Sequence, residues 1–338
     1  MSFQWENLTN PVYGWRYTVR DPAAIWHDGR FYIYFTVMFN SSFWGAPECF
    51  QVFVVTTEDF RNFDTPRPIT PKGYVSPGNV IRFNGKWHIS VTRYPWPGAI
   101  AVAESEDLLH WSEPRVVVPT CHGGYWSGSG ELYGEIPPHG PIDGYILEWQ
   151  GKIYMLYTDA QRNTTIQHLG LAVSEDMKTF TDLTPDQPLL DSDFYNGNRG
   201  IENASMVVNG DMLHLFCSVG MNEQRVAMLT SRDILSWNRL DSSCELESLK
   251  QNWSQYAASA QFVADWREIT GYWTMLFMGL SSDDAKQRAM FGMARSLDLK
   301  NWELLPEPMS RPQLVEYNRI FRQRIMNGEF YQPSPRTE

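Results

Sequence analysis

The chain has 338 residues, 43% hydrophobic and 14% aromatic, enough for one large core or two medium ones and too apolar for a disordered chain. Its 39 acidic and 28 basic residues leave a net charge of −11, which argues against nucleic acid and an anionic membrane surface as partners. Cys49, Cys121, Cys217 and Cys244 stand far apart with no zinc-type spacing, which suits a reducing compartment. Met1 to Asn7 carry neither the basic nor the apolar segment of a secretory signal, and no apolar run approaches 18 residues. A cytoplasmic protein is the expectation.

Five hairpins follow one another along the chain. Ile25 to Tyr32 turns on Asp28-Gly29, Val80 to Ile89 on Asn84-Gly85, and Tyr145 to Tyr154 on Gln150-Gly151. Ser205 to His214 turns on Asn209-Gly210, and the fifth joins Gln261–Asp265 to Gly271–Phe277 by a longer loop. Asx-Gly between β-branched and aromatic runs is the strongest short-range hairpin signal.

After each hairpin comes another strand-like run and then Ser or Thr, any residue, Asp, three residues, and Phe or Trp. The copies are Thr57/Asp59/Phe63, Ser105/Asp107/Trp111, Ser174/Asp176/Phe180, Ser231/Asp233/Trp237 and Ser296/Asp298/Trp302. The hydroxyl and carboxylate can bond free N–H groups and start a single helical turn, with the aromatic folding back to pack. No helix-length amphipathic segment interrupts the units, which disfavours a parallel α/β fold. The repeat predicts an all-β chain, one five-bladed β-propeller of four-stranded blades around a central channel. The blades fall at about 20–72, 73–120, 138–190, 198–248 and 255–308, with the termini closing the ring.

First strands line the channel, so equivalent positions converge there. Counting eight residues back from the first four hairpin glycines gives Asp21, Pro77, Asp143 and Glu202. Singly, each acid has a structural explanation as a turn or cap residue. As a registered set, three carboxylates at one mouth repel one another and push their pKa values apart. Such a set holds a cation or performs acid–base chemistry.

The stretches Arg20-Asp21-Pro22, Pro141-Ile142-Asp143 and Gly200-Ile201-Glu202-Asn203-Ala204, in that order on five repeats, resemble glycoside hydrolase family 43 and its wider clan of propeller glycosidases. The resemblance implies an inverting glycosidase, and extended loops that should close the channel mouth into a pocket suit exo action on short oligosaccharides. Asp21 would be the general base, Glu202 the general acid, and Asp143 the third acid that raises the pKa of Glu202 and orients it. Inverting chemistry separately asks for two carboxyls roughly 6.5–9.5 Å apart with a water between them. Neoagarobiose-hydrolase-like, fructosidase-like and mannoside-phosphorylase-like enzymes, and a non-catalytic carbohydrate-binding propeller, are the alternatives. The fructosidase reading would make Asp21 a nucleophile.

Sugars stack on aromatic rings, and Trp44, Trp96 and Trp126 lie in Gly/Pro-rich loops suited to that role. Arg20, Arg199 and Asn203 neighbour the acids, and Arg288 could reach the channel from the last repeat. No cofactor is required. The channel could hold a structural calcium or sodium ion, with His168 as a candidate neighbour. Oligomeric state is left open.

Overall fold

A computed structural model describes residues 3–40, 46–94, 98–118, 124–126, 140–162, 164, 166–190, 200–220, 223–246, 249–282 and 288–329. The first blade is β1 (Thr18–His27), β2 (Arg30–Met38), β3 (Phe50–Thr57) and β4 (Arg67–Pro68), antiparallel in sequence order. In the second, the inner strand is split into β5 (Tyr74–Val75) and β6 (Val80–Phe83), both paired with β7 (Lys86–Arg93). β8 (Ala99–Ser105) and β9 (Arg115–Val118) follow. Pro77 sits in the gap, where a missing N–H costs no ladder bond.

The third blade is β10 (Ile142–Trp149), β11 (Lys152–Ala160), β12 (Gln167–Ser174) and β13 (Thr181–Asp182). The fourth has three strands, β14 (Ile201–Asn209), β15 (Met212–Val219) and β16 (Arg225–Ser231), with an Ala227–Glu245 bridge standing in for the expected fourth. The fifth is β17 (Ala257–Trp266), β18 (Tyr272–Leu280), β19 (Met290–Ser296) and β20 (Trp302–Leu304). The single-turn helix α1 (Arg267–Thr270) fills the long β17–β18 loop. First strands touch in ring order: β1 with β6 and β17, β10 with β6 and β14, β14 with β17. The sheets form a five-bladed propeller.

The Ser/Thr-x-Asp segments are turns rather than helical turns. Thr57 Oγ1 accepts the N–H groups of Asp59 and Phe60, and Asp59 Oδ1 accepts those of Arg61 and Asn62. Ser105/Asp107, Ser174/Asp176 and Ser296/Asp298 repeat the pattern. The residue after each of these four aspartates turns left-handed, with φ from 56° to 67°, and is apolar and buried: Phe60, Leu108, Met177 and Leu299. Local polar bonds thus hold a strained backbone that drives an apolar plug into the core.

The N-terminal segment closes the ring. Tyr13 bridges Phe291 beside β20, and the Asn10 amide exchanges hydrogen bonds with the backbone of Met293 at 2.8 and 3.0 Å. The rings of Tyr13, Phe35 and Phe291 pack between blades one and five, as do Phe31 and Trp266. The C-terminal segment, which the repeat would place in the last blade, is instead a helix, α2 (Arg311–Met326). Leu314 and Phe321 are buried, and Tyr317 faces Arg288. No helix among the described residues is long and apolar enough to cross a membrane.

Blades two and three meet closely behind the channel mouth. A Cβ on Gly78 would lie 1.6 Å from the Gly144 carbonyl oxygen, which already accepts Ser90 Oγ at 2.5 Å. Gly78→Ala should therefore destabilise the protein by roughly 2–3 kcal/mol in urea unfolding. Gly85→Ala meets nothing within 4 Å and strains only a φ of +83°, so its loss should be nearer 1 kcal/mol. Equal losses for the two variants would refute close blade contact as the cause.

Candidate functional site

Every first strand breaks its ladder at one residue near the same end. Register shifts fall between Arg20 and Ala23, Ile142 and Tyr145, Glu202 and Ser205, and Ser259 and Phe262, and the second blade has its strand gap there. Within each break one residue is left-handed: Asp21 (φ 54°), Ser76 (48°), Asp143 (54°), Asn203 (53°) and Ala260 (47°). Asp and Asn tolerate this region better than most residues, because their short side chains bond locally. The bulge turns the side chain out of the sheet and toward the axis.

The five residues line one depression, open to solvent, with Pro22, Pro77, Gly78, Ala204 and Gln261. All five blades contribute to it.

This geometry corrects the register. Blades one to three put glycine second in the turn, between His27 and Arg30, Phe83 and Lys86, and Trp149 and Lys152. In blade four the pair is Asn209–Met212, so Gly210 stands first and a count from glycine slips by one. Asn203, not Glu202, is equivalent to Asp21 and Asp143. Ser76, not Pro77, is the left-handed residue of blade two. Glu202 sits one residue earlier, opposite Ser218.

Each acid accepts a side-chain hydrogen bond from a neighbouring strand or bulge. Asp21 Oδ2 accepts Thr36 Oγ1 at 2.8 Å and Ser76 Oγ at 3.4 Å. Asp143 Oδ2 accepts Asn203 Nδ2 at 3.0 Å, and Glu202 Oε1 accepts Gln224 Nε2. Hydroxyls on second strands clamp the bulges of the next blade. Thr36 takes the Ser76 N–H at 2.7 Å, Thr92 that of Asp143 at 3.0 Å, and Ser218 that of Ala260 at 2.9 Å. Gln261 donates to the Asn203 carbonyl at 2.6 Å and accepts from Ser218, fixing the residue that holds Asp143.

Asp143 is buried, at 6% exposure. Burial, then the charge of Glu202, then that of Asp21, push its carboxyl well above the usual carboxylate range, while a Ser76 hydrogen bond and Arg20 oppose this. Burial also pushes Tyr94 up to about 12, with Arg20 opposing and Asp143 adding. Arg20 and Tyr94 therefore share the electrostatic surroundings of Asp143. A proton held between carboxylates at an open mouth is the equipment of general acid–base catalysis.

Other expected site residues lie elsewhere. Trp126 is fully buried, donates Nε1 to the Thr184 carbonyl at 2.8 Å and packs on Tyr157, so it is core and not a sugar platform. Arg288 stacks 5.2 Å over Tyr317 of α2, at the start of a third strand, instead of reaching the channel. His168 is buried on β12, a third strand, edge-on to Tyr125 and away from the axis. Trp44, Trp96 and Arg199 lie outside the described residues. Among the described residues no group of three or more His, Cys, Asp or Glu side chains could hold a metal ion.

Residues 69–254, more than half the chain and including Asp143 and Glu202, match the family described as glycosyl hydrolases family 32, N-terminal domain. The chain belongs to that family. It is a glycosidase.

Solved propellers resemble it in fold. A thermostable family-43 glycoside hydrolase aligns with a TM-score of 0.64 at 13% identity, over 90% of this chain and 98% of that one. An exo-1,5-α-L-arabinanase from a bovine ruminal metagenomic library gives 0.62 at 16% identity, over 86% and 97%. An α-L-arabinofuranosidase from Lactobacillus brevis gives 0.61 at 14%, over 91% and 100%. No curated protein sequence matches the chain significantly.

The raised Asp143 value carries a stability consequence for this glycosidase. Above the ordinary Asp value near 4 the unfolded chain releases this proton while the native state keeps it, so stability falls as pH rises through that window. Asp143→Asn removes the term. The variant's Tm should exceed wild type by at least about 2 °C at pH 7 and converge with it below about pH 4. A Tm lowered equally at both pH values would sink the assignment.

Proposed function

We propose that the protein is an inverting, exo-acting glycosidase that removes terminal sugars from short oligosaccharides. Asp21 is the base, Glu202 the acid, and Asp143 the third carboxyl that sets the charge around Glu202. The observation that carries this reading is the mutual proximity of the three acids, expressed in the upward push that Glu202 and Asp21 exert on Asp143. Support for the base comes from Asp21, whose Oδ2 is occupied by Thr36 and Ser76. Oδ1 is then the oxygen available to take a proton from water.

The open depression lined by bulge residues of all five blades is where the terminal sugar would seat. Structural neighbours named as an arabinanase and an arabinofuranosidase put arabinofuranosides first in a substrate panel. The family-32 match favours one second reading, a retaining hydrolase in which Asp21 attacks the anomeric carbon.

A panel of aryl arabinofuranosides, xylosides, fructosides and galactosides should yield one good substrate. NMR of the first-formed sugar should then show the anomer opposite to the substrate. The same anomer would establish retention and the second reading. Asp21→Asn and Glu202→Gln should each lower kcat by roughly 10²–10⁴-fold with unchanged unfolding midpoints. Near-wild-type turnover in either variant removes that residue from the chemistry.

A further inference from the structure

Glu202 differs from the other two acids in where its protein donor comes from. Asp21 and Asp143 are held by residues of the inner two strands or the bulges themselves, whereas Gln224 immediately precedes β16, a third strand. Gln224 is buried at 6% exposure. Its carbonyl accepts the Ala258 N–H at 3.2 Å and Arg225 Nη1 at 2.8 Å, and Arg225 Nη1 also reaches the Tyr256 carbonyl at 2.7 Å. The main chain of Gln224 is therefore tied to the start of blade five, and its amide has little freedom to leave Glu202.

The carbonyl oxygen of a carboxylic acid is a better acceptor than its hydroxyl oxygen, so an amide N–H on one oxygen favours the acidic proton on the other. We propose that Gln224 is a positioning residue for the acid step, holding Oε1 of Glu202 so that the transferable proton is carried by Oε2. The proposal rests on the reading of Glu202 as the general acid. Transfer of that proton to the glycosidic oxygen, with cleavage of the bond from that oxygen to the anomeric carbon, leaves a carboxylate whose Oε1 is already solvated by the amide. The same N–H thus orients the acid before transfer and stabilises the anion afterwards.

The test compares wild type with Gln224→Leu, which keeps bulk and removes the donor, and Gln224→Glu, which can donate only while protonated. The first readout is the ¹³C NMR titration of the Glu202 side-chain carboxyl, which needs no substrate. Loss of a donor to the anion should move its midpoint to higher pH in Gln224→Leu.

The second readout is kcat on phenyl and 2,4-dinitrophenyl glycosides of the sugar that wild type turns over. Gln224→Leu should lose on the order of 10²-fold with the phenol leaving group and less than about tenfold with the activated one, which needs little acid help. The alkaline limb of its pH profile should shift upward, and Gln224→Glu should recover activity as pH falls. An unmoved Glu202 midpoint, or equal losses on both leaving groups, overturns the positioning role. Full activity of Glu202→Gln would instead remove the acid assignment, whatever the Gln224 titration shows.

Discussion

The structure depends on one bond made repeatedly, a second-strand hydroxyl of one blade accepting the N–H of the left-handed residue in the next. A left-handed non-glycine residue costs of order 1–3 kcal/mol and persists only where its surroundings over-determine it. Thr36, Thr92 and Ser218 supply that determination for Ser76, Asp143 and Ala260. Each such bond does two things at once. It satisfies an N–H that the bulge removes from its own ladder, and it sets the distance between neighbouring blades. Because Thr36 also donates to Asp21, the clamp of blade two and the placement of the blade-one acid are a single unit.

That coupling explains how three carboxyls can be brought together at all. Burial, then the charges of Glu202 and Asp21, push the carboxyl of Asp143, the most buried of the three, well above the usual carboxylate range. Asn203 and Ser76, the bulge residues of two other blades, both reach Asp143, so it is fixed from both sides. The blades without an acid contribute neutral side chains, Ser76 and Ala260, to the same depression.

Much of this was legible in the sequence, for reasons that differ by residue. The hairpins announced themselves because Asp28-Gly29, Asn84-Gly85 and Gln150-Gly151 all place two positive φ angles in the turn, which few other pairs allow. Asp21 and Asp143 followed from a constant distance to those turns. Glu202 was found by a count that slips, since Gly210 leads its turn instead of closing it. The clamp hydroxyls were available to the same comparison. Thr36, Thr92 and Ser218 recur at one distance after the turns, with Thr158, which clamps nothing among the described residues, and Met278 in the other two places. Gln224 and Gln261 had no such signal, because their role comes from contacts between blades. Trp126 misled for a related reason. A Trp in a Gly-rich loop reads as exposed, but this one is drawn under Thr184 by an indole N–H that needs a buried acceptor.

Thr158 Oγ1 has no hydrogen-bond partner among the described residues, which leaves the seam between blades three and four to the Asn203–Asp143 bond, and Met278 marks a seam with no hydroxyl at that place at all. In blade five the place of the hydroxyl is taken by a thioether, which cannot donate and accepts only weakly, so the joint from blade five to blade one needs another means of closure. The N-terminal segment provides it. Tyr13 adds to the edge beside β20 and buries its ring against Phe35 and Phe291, while the Asn10 amide completes the backbone bonds of Met293. Polar clamps hold the internal seams of the ring, whereas aromatic packing and an added strand hold the seam where the chain must meet itself. The acid next to that seam is Asp21. Its placement therefore owes more to the closure of the ring than that of Asp143 or Glu202, both of which sit between blades already joined through the chain.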